Sequence, residues 1–290
     1  MATYTLVQYR RALARALDDL GVYIVSAATT TTVGSVNLAD STPNVSPERF
    51  KGRWVYGAQQ QRRVQSVNGF TAASGTLAVN YPWAAPVADT YIEMTGLFPM
   101  LAQVPGEDTS YHDLVSRAMA KLLLPDRITV TITTADSLSL SAYPWMDRPE
   151  RLVRVLEPGP TGTRPIDASW RGPQLIWRAG TPSLEFRTPF DVASGSVTLE
   201  VLRPADTLIS GVETAPGTGF SLDAQTGIAP IEDVVTLGLM EAYGSLMNRN
   251  PGVPGNWAAQ YADARERAER TYHFDGAFYK RRGPEEQAAA

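Results

Sequence analysis

The sequence predicts an α+β fold. Two β-rich domains are joined by a helix, with an N-terminal helix before them and a C-terminal helical pair after them. Three observations predict this. Apolar residues recur at three- and four-residue steps near both ends of the chain and once in the middle. Between these segments lie runs of short stretches rich in Val, Thr, Tyr and Trp, bounded by Gly, Pro or Asn. The stretch from Pro230 to about Phe274 holds two amphipathic segments, separated by the breaker PGVPG. The expected division is therefore an N-terminal helix at 1–21, a first β-domain at 22–108, a linking helix at 109–125 and a second β-domain at 126–210. A Gly-rich loop at 211–229, the helical pair at 230–276 and a flexible tail at 277–290 complete it.

The first helix is expected over residues 5–20. Leu6, Tyr9, Leu13, Leu17 and Leu20 give it one apolar face. Thr5 and Gln8 have the spacing of a capping box, in which each side chain satisfies a backbone N–H. Gly21 is the expected stop, because glycine reaches positive φ cheaply. The first β-domain then offers VYIVSAA, TVGSVNL, GRWVYG, RRVQSVNGF, GTLAVNYP and DTYIEM as strands. Asn68-Gly69 is its best hairpin signal, since a type I′ turn needs positive φ at both positions. Open sheet edges are a liability, so a small barrel or a sandwich is the expected closure.

The linking helix should be capped by Thr109 or Ser110, with Asp113 in the first turn facing the positive helix end. Its buried face would be Leu114, Val115, Ala118, Met119, Leu122 and Leu123, and Pro125 would end it. RITVTITT, SLSLSAY, RLVRVLEP, QLIWRAG, SLEFRT and SVTLEVLRP are the strands of the second domain. Their number and shortness predict a sandwich. In the C-terminal pair, Pro230 suits the first helical position, and Ile231, Val235, Leu239, Ala242 and Leu246 form the expected stripe. On the second helix Trp257, Tyr261, Ala264, Ala268 and Tyr272 share a side, free to pack on the first helix or on a neighbour. Arg265–Glu269 and Glu266–Arg270 make i,i+4 pairs opposite.

Composition bounds the function. The 290 residues suffice for two domains with sizeable cores. The net charge of −4 does not indicate nucleic acid as a main partner through bulk electrostatics. The absence of cysteine excludes disulfides, thiolate metal sites and Cys nucleophiles. The first twenty residues carry charges throughout, so no Sec signal peptide is expected, and no apolar run is long enough to span a bilayer.

The search for chemistry finds little. The two histidines, His112 and His273, stand alone in sequence, with nothing around them that resembles a triad or a zinc site. PGPTGT at 158–163 and APGTG at 215–219 lack the Gly-Lys-Ser/Thr ending of a phosphate loop. The segment from Asp223 lacks the alternating acids of a calcium loop. Glu185, Asp191 and Glu200, with Trp145, Trp170 and Trp177, leave a carbohydrate-binding or glycosidase sandwich as a minor alternative. No enzyme activity, cofactor or metal is expected. Arg10, Arg11 and Arg15, Arg62 and Arg63, and Lys280-Arg281-Arg282 are basic clusters. In a monomer they are solvated faces. In a ring they could pair with an acidic neighbour or line a channel for DNA.

This layout resembles that of virion proteins of tailed bacteriophages, and more narrowly of head-to-tail connector (adaptor, neck) proteins. The opening YTLVQYRRALARALDDLG, the run GTLAVNYPWAAPVADTYIEM into GLFP, and VVTLGLMEAYGSLMNRNPGVPGNWAAQYADARERAER carry the resemblance. It implies a homo-oligomeric ring, usually of twelve copies, between the portal protein and the tail or next neck protein. It further implies a central channel that passes DNA without sequence readout, a virion location and no membrane. The family's small adaptors are mostly helical, whereas this chain carries more β-structure. Candidate assembly contacts are Trp257, Tyr261, Tyr272, Leu239, Leu246, Arg10, Arg11, Arg62 and Arg63. The segments 39–50 and 211–229 are candidate arms that order on contact with neighbours. Another phage tail or baseplate protein is the nearest alternative.

Overall fold

The computed structural model describes residues 2–27, 35–38, 50–57, 60–65, 70–71, 76–80, 91–101, 109–132, 137–148, 151–159, 162–165, 174–178, 181–185, 195–209, 225–249, 256–275 and 278–281. Among the described residues the architecture is α+β, with four α-helices and several antiparallel sheets, none closed into a barrel. The chain divides into two compact units that do not follow its linear order. Unit 1 is Met1–Met119 with Ile209–Glu269, and unit 2 is Ala120–Leu208 with Arg270–Ala290. The chain thus passes from unit 1 to unit 2, returns to unit 1 and ends in unit 2.

In unit 1, helix α1 (Leu6–Ala16) starts with the expected capping box between Thr5 and Gln8. It stops earlier than expected. Asp18 takes the left-handed conformation at φ 54°, and Gly21 instead opens a strand. Aspartate tolerates that region better than most residues, so the stop does not require the glycine. Before α1, strand β1 (Tyr4–Thr5) pairs antiparallel with Thr226–Gly227, the short strand β16. This ties the N-terminus to the segment that enters the C-terminal helices.

The seven-stranded sheet holds β2 (Gly21–Ala27), β3 (Ser35–Leu38), β4 (Trp54–Gly57), β5 (Gln60–Arg63), β6 (Phe70–Thr71), β7 (Thr76–Ala78) and β8 (Tyr91–Thr95). Their order is β5-β4-β8-β2-β3-β7-β6. Five of the six expected segments overlap β2, β3, β4, β7 and β8, whereas RRVQSVNGF contributes only Arg62 and Arg63 to β5 and Phe70 to β6. The Asn68-Gly69 hairpin lies outside the described residues. In place of barrel closure there is a single lace. Val64 and Val79 form an antiparallel bridge, flanked by Gln65 N–H to Ala78 O at 2.9 Å and Asn80 N–H to Arg63 O at 2.9 Å. Phe50, Val55, Val64, Phe70, Leu77, Val79, Ile92 and Met94 form the apolar cluster of this sheet. Phe50 is its centre, edge-on to Tyr23 at 5.3 Å and to Phe70 at 4.8 Å.

Helix α2 (Tyr111–Lys121) starts where expected. Ser110 and Asp113 cap it reciprocally: Asp113 N–H donates to Ser110 Oγ at 3.1 Å, and Ser110 N–H to Asp113 Oδ2 at 2.8 Å. It ends at Lys121 rather than near Pro125. Leu122 and Leu123 are buried, but in strand β9 (Leu122–Thr131), where Pro125 stands opposite Leu202. On the other flank of β9 the pairing covers only Leu122 and Leu123, so the proline lies past that ladder and no N–H is required of it there.

Helices α3 (Ile231–Arg249) and α4 (Asn256–Thr271) are the C-terminal pair. Pro230 precedes α3 and its carbonyl accepts from Val234 N–H at 3.2 Å. The second helix is shorter than expected. The chain turns into β17 (Tyr272–Asp275) and β18 (Phe278–Arg281), an antiparallel hairpin whose second strand joins β9 in parallel. Residues 278–281 are therefore sheet, not tail.

Unit 2 has a six-stranded sheet ordered β12-β11-β15-β9-β18-β17, with β11 (Leu152–Gly159), β12 (Gly162–Pro165) and β15 (Ser196–Pro204). A three-stranded sheet contains β10 (Ser137–Ser139), β13 (Gln174–Arg178) and β14 (Thr181–Glu185). The alternation in β15 and β9 specifies one face. Val197, Leu199 and Val201 pair with or neighbour Val130 and Ile128, and all are buried. Leu138 of β10 joins the same apolar cluster.

Candidate functional site

The helical layer of unit 1 is where most expected assembly residues fall. Helix α3 buries Asp233, Val234, Leu237, Gly238, Met240, Ala242 and Leu246. The buried stripe is rotated from the expected one: Ile231, Val235 and Leu239 are only half-buried, while Ala242 and Leu246 keep their place. Gly238 lies on this buried face. A Cβ there would stand 3.0 Å from Leu13 Cδ2, so the bare glycine lets α1 press against α3 at that point. Tyr9, one turn before Leu13, is fully buried and donates its hydroxyl to Ala229 O at 2.6 Å. Burial pushes the Tyr9 hydroxyl pKa up, and Tyr4 adds to this.

Helix α4 lays its aromatic face on α3. Trp257 stacks on Tyr243 with ring centroids 6.1 Å apart, and a Cβ on Gly244 would stand 3.5 Å from Tyr261 Cε2. Ala264 and Ala268 are buried below them. Trp257 and Tyr261 thus pack toward the first helix of the pair while staying half-buried. Tyr272 is not on this face. It is fully buried in β17 of unit 2, opposite Arg281.

The basic candidates are also redistributed. Arg10 was expected on the outer part of α1, but it is fully buried, with its guanidinium 6.0 Å from the centre of the Tyr56 ring. Arg11 forms an ion pair with Glu93, itself buried on β8, and lies over Tyr91 at 6.0 Å. Burial disfavours the Arg11 charge, yet Glu93 and Tyr91 more than offset it, so its pKa is raised on balance. Arg62 is half-buried and donates to the carbonyl of Gln61 at 2.7 Å, and desolvation lowers its pKa. Arg63 alone of these four is exposed, stacked over Trp54 at 5.2 Å with Nε donating to Gly52 O at 3.2 Å. An apolar helix face tolerates an arginine when an acid or ring meets it, and α1 has both.

Two features escaped sequence reasoning. The first is a clamp on the loop Gly96–Leu101. Asp19 Oδ1 accepts Gly96 N–H at 2.7 Å, and its Oδ2 accepts Leu97 N–H at 2.9 Å and the Tyr111 hydroxyl at 2.7 Å. Gln61 exchanges two bonds of 2.8 Å with the backbone of Leu101, and Thr95 Oγ1 donates to Phe98 O at 2.6 Å. Arg249 of α3 donates to Leu97 O at 3.2 Å. Phe98 is fully buried and meets Tyr111 edge-on at 5.5 Å. Burial pushes the Tyr111 pKa up, and the neighbouring Asp19 carboxylate adds to this. A signal for Asp19 existed: acids at 18 and 19 sit at a helix C-terminus, where the dipole disfavours them, so a partner elsewhere is expected.

The second is a wet apolar patch. Val22 and Ile24 of β2 are 53% and 65% exposed, and Tyr91, paired with Ile24 across β8, is 42% exposed. Tyr23 faces the other way into the cluster around Phe50. The signal was the unbroken VYIV, which leaves no polar side to the strand.

Of the enzymatic candidates, Glu200, Trp145 and the two histidines fall among the described residues. Glu200 bridges Arg127 at 2.7 Å and Arg154 at 3.7 Å. Trp145 carries Arg203 over its ring at 5.4 Å. His112 is in the first turn of α2 in unit 1, and His273 is in β17 of unit 2. Asp191, Trp170 and the side chains of Glu185 and Trp177 lie outside the described residues, as do most of the two candidate arms. Among the described residues, no group of three or more His, Asp or Glu could hold a metal ion, and no helix is long and apolar enough to cross a membrane. No family model matches this chain, and no curated protein or solved structure matches it.

Proposed function

We propose that this chain is a structural virion protein of a tailed bacteriophage that forms the connector ring between portal and tail. The observation that carries the reading is the patch of Val22, Ile24 and Tyr91. Large apolar side chains clustered on a paired strand face are what a protein–protein interface covers. The resemblance of the opening helix, the run into GLFP and the C-terminal helices supplies the class of assembly. Helix α1 meets α3 where Leu13 faces Gly238, and α4 meets α3 where Tyr261 faces Gly244, a helical layer from which repeated contacts could be made around a ring. Weak contacts repeated in a closed ring add up to a strong assembly. DNA would pass through such a ring without base readout. Arg10 and Arg11 are withdrawn from the side chains offered to it, since both serve the interior.

Electron microscopy and native mass measurement of the purified protein, alone and mixed with a portal, test this. The expected result is a ring, with twelve copies as the family's usual number. Monomers in both preparations would overturn it. Threefold or sixfold symmetry would favour a tail or baseplate protein instead.

A further inference from the structure

We draw no further inference here: the strongest candidate, the arginine ladder on the six-stranded sheet where Arg127 and Arg154 flank Glu200, carries nothing because both arginines are engaged by that carboxylate and nothing in the structure points to an anionic ligand.

Discussion

Leu13 of α1 and Gly238 of α3 meet so closely that a Cβ on the glycine would stand 3.0 Å from Leu13 Cδ2 and 3.1 Å from Cδ1. The N-terminal helix and the first C-terminal helix, far apart in sequence, cross here in one unit. The glycine costs helix propensity, about 1 kcal/mol relative to alanine, and a side chain in its place would require Leu13 to give way by a few tenths of an ångström. Gly238→Leu is expected to lower stability by about 1–3 kcal/mol through overpacking. Leu13→Ala should cost about 2–5 kcal/mol through the cavity it leaves. The double variant should lose less than the two costs added together, because the new leucine side chain can enter the vacated space. Urea unfolding of the four proteins measures this, and strict additivity would show that the two residues do not share a contact.

The Asp19 carboxylate makes a second prediction. It accepts two backbone N–H groups and the Tyr111 hydroxyl. Asp19→Ala leaves these donors without their acceptor, at about 1–3 kcal/mol for each that water does not reach. Tyr111→Phe removes only one donor and should cost about 1 kcal/mol. Hydrogen exchange separates the two. The amides of Gly96 and Leu97 should exchange faster in Asp19→Ala and stay close to wild type in Tyr111→Phe.

Alkaline pH should unfold the protein through Tyr9 and Tyr111. Both are fully buried, and burial raises both pKa values above the ordinary 10.0. In the unfolded chain these phenols ionise near pH 10; in the folded chain they keep their protons. The unfolded state therefore binds fewer protons above pH 10, and stability falls as pH rises. The slope is about 1.4 kcal/mol per pH unit for each tyrosine until its folded pKa is reached. Below pH 10 the contribution is fully present. Circular dichroism against pH should show the loss beginning above 10, and Tyr9→Phe should make it shallower.

Arg11 and Arg63 looked alike in sequence and should behave differently. Arg11→Met removes the ion pair that Arg11 makes with buried Glu93, and breaking such a pair costs about 3–5 kcal/mol at buried sites. Replacing Glu93 with Met as well should recover much of the loss, since two apolar side chains need no charge balance. Arg63→Ala removes an exposed stack on Trp54 and should cost less than about 1 kcal/mol. Thermal melts of the three variants check the order. An Arg11→Met protein as stable as wild type would return Arg11 to the solvated surface.

Local signals were legible because their cause is local. The Thr5–Gln8 box, the Ser110–Asp113 cap and the alternation of SVTLEVLRP each depend on residues within one element. The α+β class follows from the sum of such signals. What stayed hidden depends on distant partners. Arg10 reads as an outer residue until Tyr56 is placed beside it, and Gly238 reads as a weak point until Leu13 arrives. Tyr272 continues a helical pattern, yet it pairs with Arg281 and becomes a strand residue. The discontinuous unit was hidden for the same reason: no local pattern records that β1 pairs with Thr226–Gly227.

Ile24 tests the proposed assembly most directly. It is 65% exposed beside Val22 and Tyr91, so it adds little to the core of its own subunit. Ile24→Asp should leave the melting temperature of an isolated subunit nearly unchanged, because exposed substitutions usually shift stability within about 0.5 kcal/mol. A buried carboxylate at an interface has no such freedom: without a partner it must be desolvated or neutralised. The variant should therefore fold and yet fail to form the rings that the unaltered protein makes. Native mass measurement reads the oligomer and circular dichroism the fold. An Ile24→Asp protein that still assembles would remove this strand face from the interface, and one that unfolds would show that the patch supports the subunit itself.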